Sequence, residues 1–155
     1  MLTLEIKDKV VLVTGSNRGI GKSFVEKALE LGAAKVYATA RSTDSLADLA
    51  AANPERVVLL SLDICNQAQV DAVAAAAQDV DVLVNNAGMH NRGDLEKLDP
   101  ADVGAMVDIN MRAPLILSCA AIPYMRRAGS GSIVMVGSLA GMSPLQGAAT
   151  YSGTK

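Results

Sequence analysis

The chain has 155 residues, 50% of them apolar but only 3% aromatic, and a formal net charge of -2. That is one domain's length with ample material for a core of Ala, Val, Leu and Ile, and its charge balance offers no basic footprint for nucleic acid or an anionic lipid surface. One histidine and two distant cysteines, Cys65 and Cys119, do not make a His/Cys metal set, so no metal is expected and the thiols are read as reduced and buried.

The N-terminus carries Glu5, Lys7 and Asp8 and so lacks both the apolar stretch of a signal peptide and a membrane-spanning run, which makes a cytoplasmic protein the expectation. Lys9 to Thr14 (KVVLVT) is a short apolar run bounded by charge and glycine, as expected of a strand buried on both faces. A glycine-rich turn, Gly15, Ser16, Asn17, Arg18, Gly19, Ile20, Gly21, leads into a helical pattern through Phe24, Ala28 and Leu31 that Gly32 stops. Lys35 to Thr39 is the second strand, Ser45 to Ala52 a helix ended by Asn53 and Pro54, and Arg56 to Leu62 the third strand. Asn66 to Gln78 reads as a helix and Val80 to Asn85 as the fourth strand. Asp99 and Pro100 begin another helix with an acidic N-cap and proline in the first turn. A long helix from about Asn110 to Arg127 follows, with Pro114 and Pro123 expected to perturb it, and Gly131 to Gly137 is the fifth strand. Alternating strands and helices with double-sided strands specify an α/β fold, a doubly wound parallel sheet in one domain over 1–155.

Chemistry enters at both ends of this pattern. In the glycine turn, Gly15 permits the tight strand-to-helix reversal, and Gly19 and Gly21 let backbone approach a pyrophosphate at the amide-rich helix N-terminus. A dinucleotide site for NAD usually carries an acid at the end of the second strand. Here that place is Ala40 followed by Arg41, and Arg18 stands inside the turn. Two guanidiniums near the ribose suit a 2′-phosphate, so NADP(H) is favoured over NAD(H); the alternative leaves Arg41 solvated and gives Asp44 the ribose hydroxyl. At the other end, Tyr151 and Lys155 are four apart, a spacing that stacks both on one face of a helix, and a cation so close to a phenol favours the phenolate that a tyrosine acid/base needs.

The glycine turn, Asn85-Asn86-Ala87-Gly88 after the fourth strand, Ser138 after the fifth, and Tyr151-Ser152-Gly153-Thr154-Lys155, in this order and spacing, closely resemble the short-chain dehydrogenase/reductase family from about Lys9 to Lys155. The resemblance implies a Rossmann sheet ordered 3-2-1-4-5, with the family's strands 6 and 7 absent here. It also implies a nicotinamide cofactor, a small carbonyl or alcohol substrate, and a homo-oligomer. Asp63 matches the family acid that meets the adenine amino group, with the Ile64 amide on the ring; the other reading makes Asp63 a helix N-cap. Asn86, Ala87 and Gly88 would line the adenosine ribose. Ser138, Tyr151 and Lys155, with Asn110 holding a proton-relay water, would be the catalytic set; Ser138 as a plain strand-end serine and Asn110 as a helix-capping amide are the alternatives. His90 is read as a solvated loop residue or a substrate contact, and Met89 and Met142 as filler or a pocket rim.

Family members usually continue further, with the rest of the Tyr/Lys helix, two more strands and a substrate lid. The expectation is therefore an NADP(H)-dependent dehydrogenase or carbonyl reductase of which this is an N-terminal piece. The alternative is a non-catalytic fragment that keeps a partial dinucleotide pocket or pairs its open fifth strand with another chain.

Overall fold

The computed structural model describes residues 5–143 and 145–155, so the expectation about the extreme N-terminus falls partly outside the described residues. Five strands, β1 (Val10–Thr14), β2 (Lys35–Ala40), β3 (Val57–Ser61), β4 (Val82–Asn85) and β5 (Ser132–Met135), form one sheet in the order β3-β2-β1-β4-β5. Every pairing is parallel, with Leu12 beside Tyr37 on one side and Leu83 on the other, and Val84 beside Val134. The helices are α1 (Gly19–Glu30), α2 (Ala47–Ala52), α3 (Gln67–Ala76), α4 (Pro100–Val107), α5 (Ala113–Ala128) and α6 (Ala149–Gly153).

Period-two alternation assigns each strand residue to a layer. Val11, Val13, Val36, Ala38, Val82 and Val84 face one side and pack with Val25, Ala28 and Leu29 of α1 and with Leu46. Leu12, Tyr37 and Leu83 face the other and pack with Val70 and Val73 of α3 and Leu117 and Met125 of α5. Burying a side chain such as Val25 or Leu117 contributes about 1.5–3 kcal/mol, which is why the two layers hold although aromatic rings are scarce. Asp99 caps α4 as expected, its carboxylate accepting from the Ala101 amide at 2.8 Å, with Pro100 in the first turn.

The segment 108–112 departs from expectation. Here Asp108–Arg112 forms a π-turn, in which the Ala113 amide reaches back to the Asp108 carbonyl, between α4 and α5. Pro114 lies in the first turn of α5, where a missing amide costs little, but Pro123 does not interrupt α5. Pro123 and Cys119, whose carbonyl loses its amide partner, are both exposed, so water can take that carbonyl. Pro100–Ala128 forms a helical run of 29 residues, long and apolar enough to cross a membrane on those grounds alone, yet Leu117 and Met125 are core residues of the sheet. Cys65 and Cys119 are free thiols as expected, but both are exposed rather than buried: Cys65 lies in the turn before α3 and Cys119 on the outer side of α5.

At the sheet end opposite the glycine turn, Lys35, Tyr37 and Asp79 form a polar staple. The Lys35 ammonium meets Asp79 at 2.6 Å and the Tyr37 hydroxyl donates to Asp79 at 2.9 Å. Partial burial opposes the Asp79 charge, but the hydrogen bonds from Lys35 and Tyr37 outweigh it and hold the carboxyl below its ordinary value. A depressed carboxylate stabilises the fold above its unfolded pKa, and that stability disappears as pH falls through the folded value. Asp79→Asn is therefore expected to lower stability at pH 7 by about 1 kcal/mol, the upper range for a half-exposed pair. In thermal melts the difference from wild type should narrow as pH falls below the ordinary carboxylate range; a constant difference would remove Asp79 ionisation from the account.

Candidate active site

The carboxyl ends of β1 and β4 are adjacent, and the chain order of the sheet reverses there, which is where open α/β sheets bind ligands. Thr14 and Asn86 join these two ends. Thr14 Oγ1 accepts the Asn86 and Ala87 amides at 3.0 and 2.9 Å, and Asn86 Nδ2 donates to the Thr14 and Gly15 carbonyls at 2.9 and 3.2 Å. The glycines of the turn are required by this closeness. Gly15 has a φ of +67°, and a Cβ there would stand 2.9 Å from Ala87 Cα; a Cβ on Gly21 would collide with the Gly15 carbonyl and Asn86 Nδ2. Gly19, at φ +53°, opens α1, whose N-cap Arg18 makes no side-chain capping bond. Among the described residues the first amides of α1 are thus without a side-chain acceptor, and Ile20 in the same turn is exposed.

The other cofactor-side candidates divide clearly. Ser16 is fully buried and its hydroxyl serves the protein, donating to the Val13 carbonyl at 2.7 Å and accepting the Thr39 amide at 3.2 Å. The Asn17 carbonyl accepts from Ser45 Oγ at 2.8 Å, which ties the turn to the segment after β2. Arg18 and Arg41 are exposed, and among the described residues neither joins an ion pair. Asp44 accepts from Ser42 Oγ at 2.9 Å. Asp63 is not the cap of α3: Asn66 holds that role, accepting the Gln69 amide, while Asp63 Oδ1 accepts from the Cys65 amide at 3.0 Å in a local turn. Ile64 follows it, half-buried. Asn85 spends Nδ2 on Ser118 Oγ at 3.1 Å, and its buried Oδ1 has no partner among the described residues.

At the same carboxyl end of the sheet, Asn110 connects three elements. Buried in the π-turn, its Oδ1 accepts the Met89 amide at 2.7 Å, and its Nδ2 donates to the Met89 carbonyl at 2.8 Å and to Thr154 Oγ1 at 3.0 Å. It does not cap a helix. Lys155 extends past α6, and its Nζ donates to the Val136 carbonyl at 2.9 Å, close to where a Gly88 side chain would begin. Gly141 lies so close to the Lys155 backbone that a Cβ there would stand 2.5 Å from its carbonyl carbon. Ser138 follows β5 and opens the short turn 139–141, its Oγ accepting from the Ala140 amide at 3.2 Å. The Tyr151 ring lies 4.2 Å, centroid to centroid, from that of His90. An open cleft of about 660 Å³ borders the start of α6, lined by Gly93, Asp94, Leu95, Glu96, Gly147 and Ala149.

Gly88, Asn110 and Lys155 are thus brought together, and Ser138 lies in the loop that packs on the Lys155 backbone. No hydrogen bond joins Tyr151 Oη to Ser138 or Lys155 among the described residues. Three residues carry more than the motif reading assigned to them: Thr14, Thr154 and His90. For the threonines a signal existed, since a hydroxyl at a strand end or between two reactive side chains must find a partner once buried.

A family model described as short chain dehydrogenase matches residues 9–155. An uncharacterized oxidoreductase of Staphylococcus saprophyticus is 36% identical over 97% of this chain and 63% of its own length. The NADP-dependent 3-hydroxy acid dehydrogenase of Salmonella typhimurium is 34% identical over 94% of this chain and 60% of its own. Among solved structures, a short-chain dehydrogenase from Streptomyces avermitilis superposes with a TM-score of 0.90 at 39% identity, covering 95% of this chain and 55% of that one. A short chain dehydrogenase from Burkholderia cenocepacia in complex with NADP gives 0.89 at 34% identity, covering 97% and 62%. The chain therefore spans less than two thirds of the length of these relatives. With that model matching residues 9–155 and a parallel sheet ordered β3-β2-β1-β4-β5, the chain belongs to the short-chain dehydrogenase family of oxidoreductases.

Proposed function

We propose that the full-length protein is an NADP(H)-dependent oxidoreductase that interconverts a carbonyl compound and a secondary alcohol, with residues 1–155 as its dinucleotide-binding domain. The observation that carries this reading is the convergence of the glycine turn, Gly88, Asn110 and Lys155 at the carboxyl end of the sheet. The turn fits a dinucleotide: Gly21 leaves no room for a side chain, and the α1 amides behind Gly19 await an acceptor. Arg18 and Arg41 would hold a 2′-phosphate, and Asp63 and Ile64 the adenine. Asn86, Ala87 and Gly88 would line the adenosine ribose.

When bound, the nicotinamide supplies or accepts the hydride. Tyr151 Oη gives the proton to the carbonyl oxygen or takes it from the alcohol, and Ser138 Oγ orients that oxygen and stabilises its charge. The Lys155 ammonium stabilises the phenolate left behind and reaches the nicotinamide ribose hydroxyls. Asn110 has its side-chain amide committed, but Pro114, four residues on, has no amide to offer the Asn110 main-chain carbonyl, which is the acceptor we assign to a relay water. Val107, Met111, Leu115 and Ile122, exposed along the Pro100–Ala128 run, support a homo-oligomer. A second reading, pairing of β5 with another chain without catalysis, draws on the exposure of Val134 and Met135.

Cofactor choice tests the reading. Arg18→Ala or Arg41→Ala in the full-length protein is expected to weaken NADPH by about 1.5–3 kcal/mol, the scale of a charge-assisted contact, and to leave NADH nearly unchanged. Titration of both cofactors by fluorescence measures it, and equal affinity of the wild type for NADPH and NADH overturns the preference.

A further inference from the structure

The loop after β4 is pinned at alternate residues. Met89 is held at both its amide and its carbonyl by Asn110, Asn91 Nδ2 donates to Asp102 of α4 at 2.7 Å, and the Gly93 amide donates to the Gly147 carbonyl at 2.9 Å. Between the first two pins stands His90, the chain's one histidine, whose ring lies 4.2 Å from that of Tyr151 at an interplanar angle of 51°. No hydrogen bond to the His90 ring is made among the described residues, so the contact is one of ring on ring. The rings are tilted, and their separation is slightly shorter than the roughly 4.5–7 Å at which aromatic pairs usually sit, so they are in direct packing contact.

Tyr151 needs such a neighbour. No hydrogen bond to Tyr151 Oη is made among the described residues, so within them the ring is placed by packing. Thr154 is tied to Asn110 and Lys155 to Val136, yet neither bond touches the phenol. The rigid part of the site reaches the Tyr151 backbone through Thr154, whose hydroxyl accepts from Asn110 at 3.0 Å and donates to the Tyr151 carbonyl at 2.9 Å, and reaches its ring through His90, which follows the clamped Met89.

We propose that His90 is a positioning residue for Tyr151: its ring, fixed by the pinned loop, selects the orientation in which the phenol hydroxyl meets the substrate oxygen. This rests on Tyr151 being the acid/base of the proposed reaction. The contact is with the ring and not with a nitrogen, so an aromatic replacement should serve where an aliphatic one does not. A misplaced acid/base affects the chemical step, and small displacements there are costly.

The test uses the full-length protein with 13Cζ-labelled tyrosine, in which the Tyr151 signal is the one that Tyr151→Phe removes. His90→Ala is expected to lower kcat about tenfold with the cofactor Kd within about twofold of wild type, and to move the Tyr151 signal alone; His90→Phe should restore most of both. In the wild type, a nuclear Overhauser contact between the His90 and Tyr151 ring protons is expected, which reads the geometry without any variant. The proposal is overturned if that contact is absent, if His90→Ala keeps kcat within about twofold, or if His90→Phe is as impaired as His90→Ala. A Tyr151→Phe enzyme that still turns over would instead overturn the underlying reading, so the two failures are distinguishable.

Discussion

Replacing Tyr151 with phenylalanine in the full-length protein is expected to reduce turnover by a factor of about 100 or more, the ordinary contribution of a general acid/base, while cofactor affinity stays near wild type. The substitution removes one oxygen. The phenyl ring keeps its place against His90, so the backbone of α6, the Asn110–Thr154 bond and the Lys155–Val136 bond have no reason to change. Lys155→Ala is expected to behave differently, impairing both turnover and cofactor binding, because in the proposed reaction one ammonium would serve both the phenolate and the ribose. Steady-state kinetics with NADPH and a generic ketone, beside a direct cofactor titration, separate the two patterns. Retention of more than about a tenth of the wild-type rate by Tyr151→Phe would exclude the tyrosine as proton donor.

Asn110→Ala is expected to cost about 2–4 kcal/mol of folding stability, the sum for a buried amide whose partners lose three hydrogen bonds, and activity should fall with it. The loss concentrates on Met89, which gives up both its amide and its carbonyl partner, and on Thr154 Oγ1. Asn110→Asp preserves the acceptor for the Met89 amide but turns a second oxygen toward the Met89 carbonyl, so it should rescue little. Denaturant melts of the three proteins check this. An Asp variant as stable as wild type would mean that the Nδ2 bonds contribute nothing.

Most of the architecture was legible before any coordinate. The strands from Val10, Lys35, Val57, Val82 and Ser132 lie within about two residues of where apolar runs and punctuation put them, because a strand buried on both faces leaves few alternatives. Legibility failed where a residue answers to a distant partner. Asn110 is drawn into a π-turn by Met89 and Thr154, neither of which is near it in sequence, and no local propensity encodes that. Pro123 was expected to disturb its helix and does not, since its effect depends on whether the freed carbonyl faces water. Cys65 and Cys119 were read as buried from residue type alone, while their elements turn them outward. The candidate site divides the same way. The backbone-dictated parts, Gly15 and Gly21, were readable as steric necessities, whereas the packing of His90 on Tyr151 depends on a loop pinned at both sides.

The π-turn at Asp108–Arg112 also acts as a phase shifter. In an unbroken α-helix the spacing from Met106 to Leu117 would return both side chains to within about 20° of one another around the axis. Here α4 packs toward α6 and α5 packs on α3 and the sheet, so a single rod serves two neighbours in different directions. The extra residue closed within the wider turn supplies that rotation, about one residue's worth of the helical circle. Deleting one residue between 108 and 112 would restore regular winding and bring the two contact stripes back into line. Leu117 and Met125 could then face the sheet only by turning Asp102 away from Asn91 and α4 away from α6, and the chain would have to give up one of its two contracts.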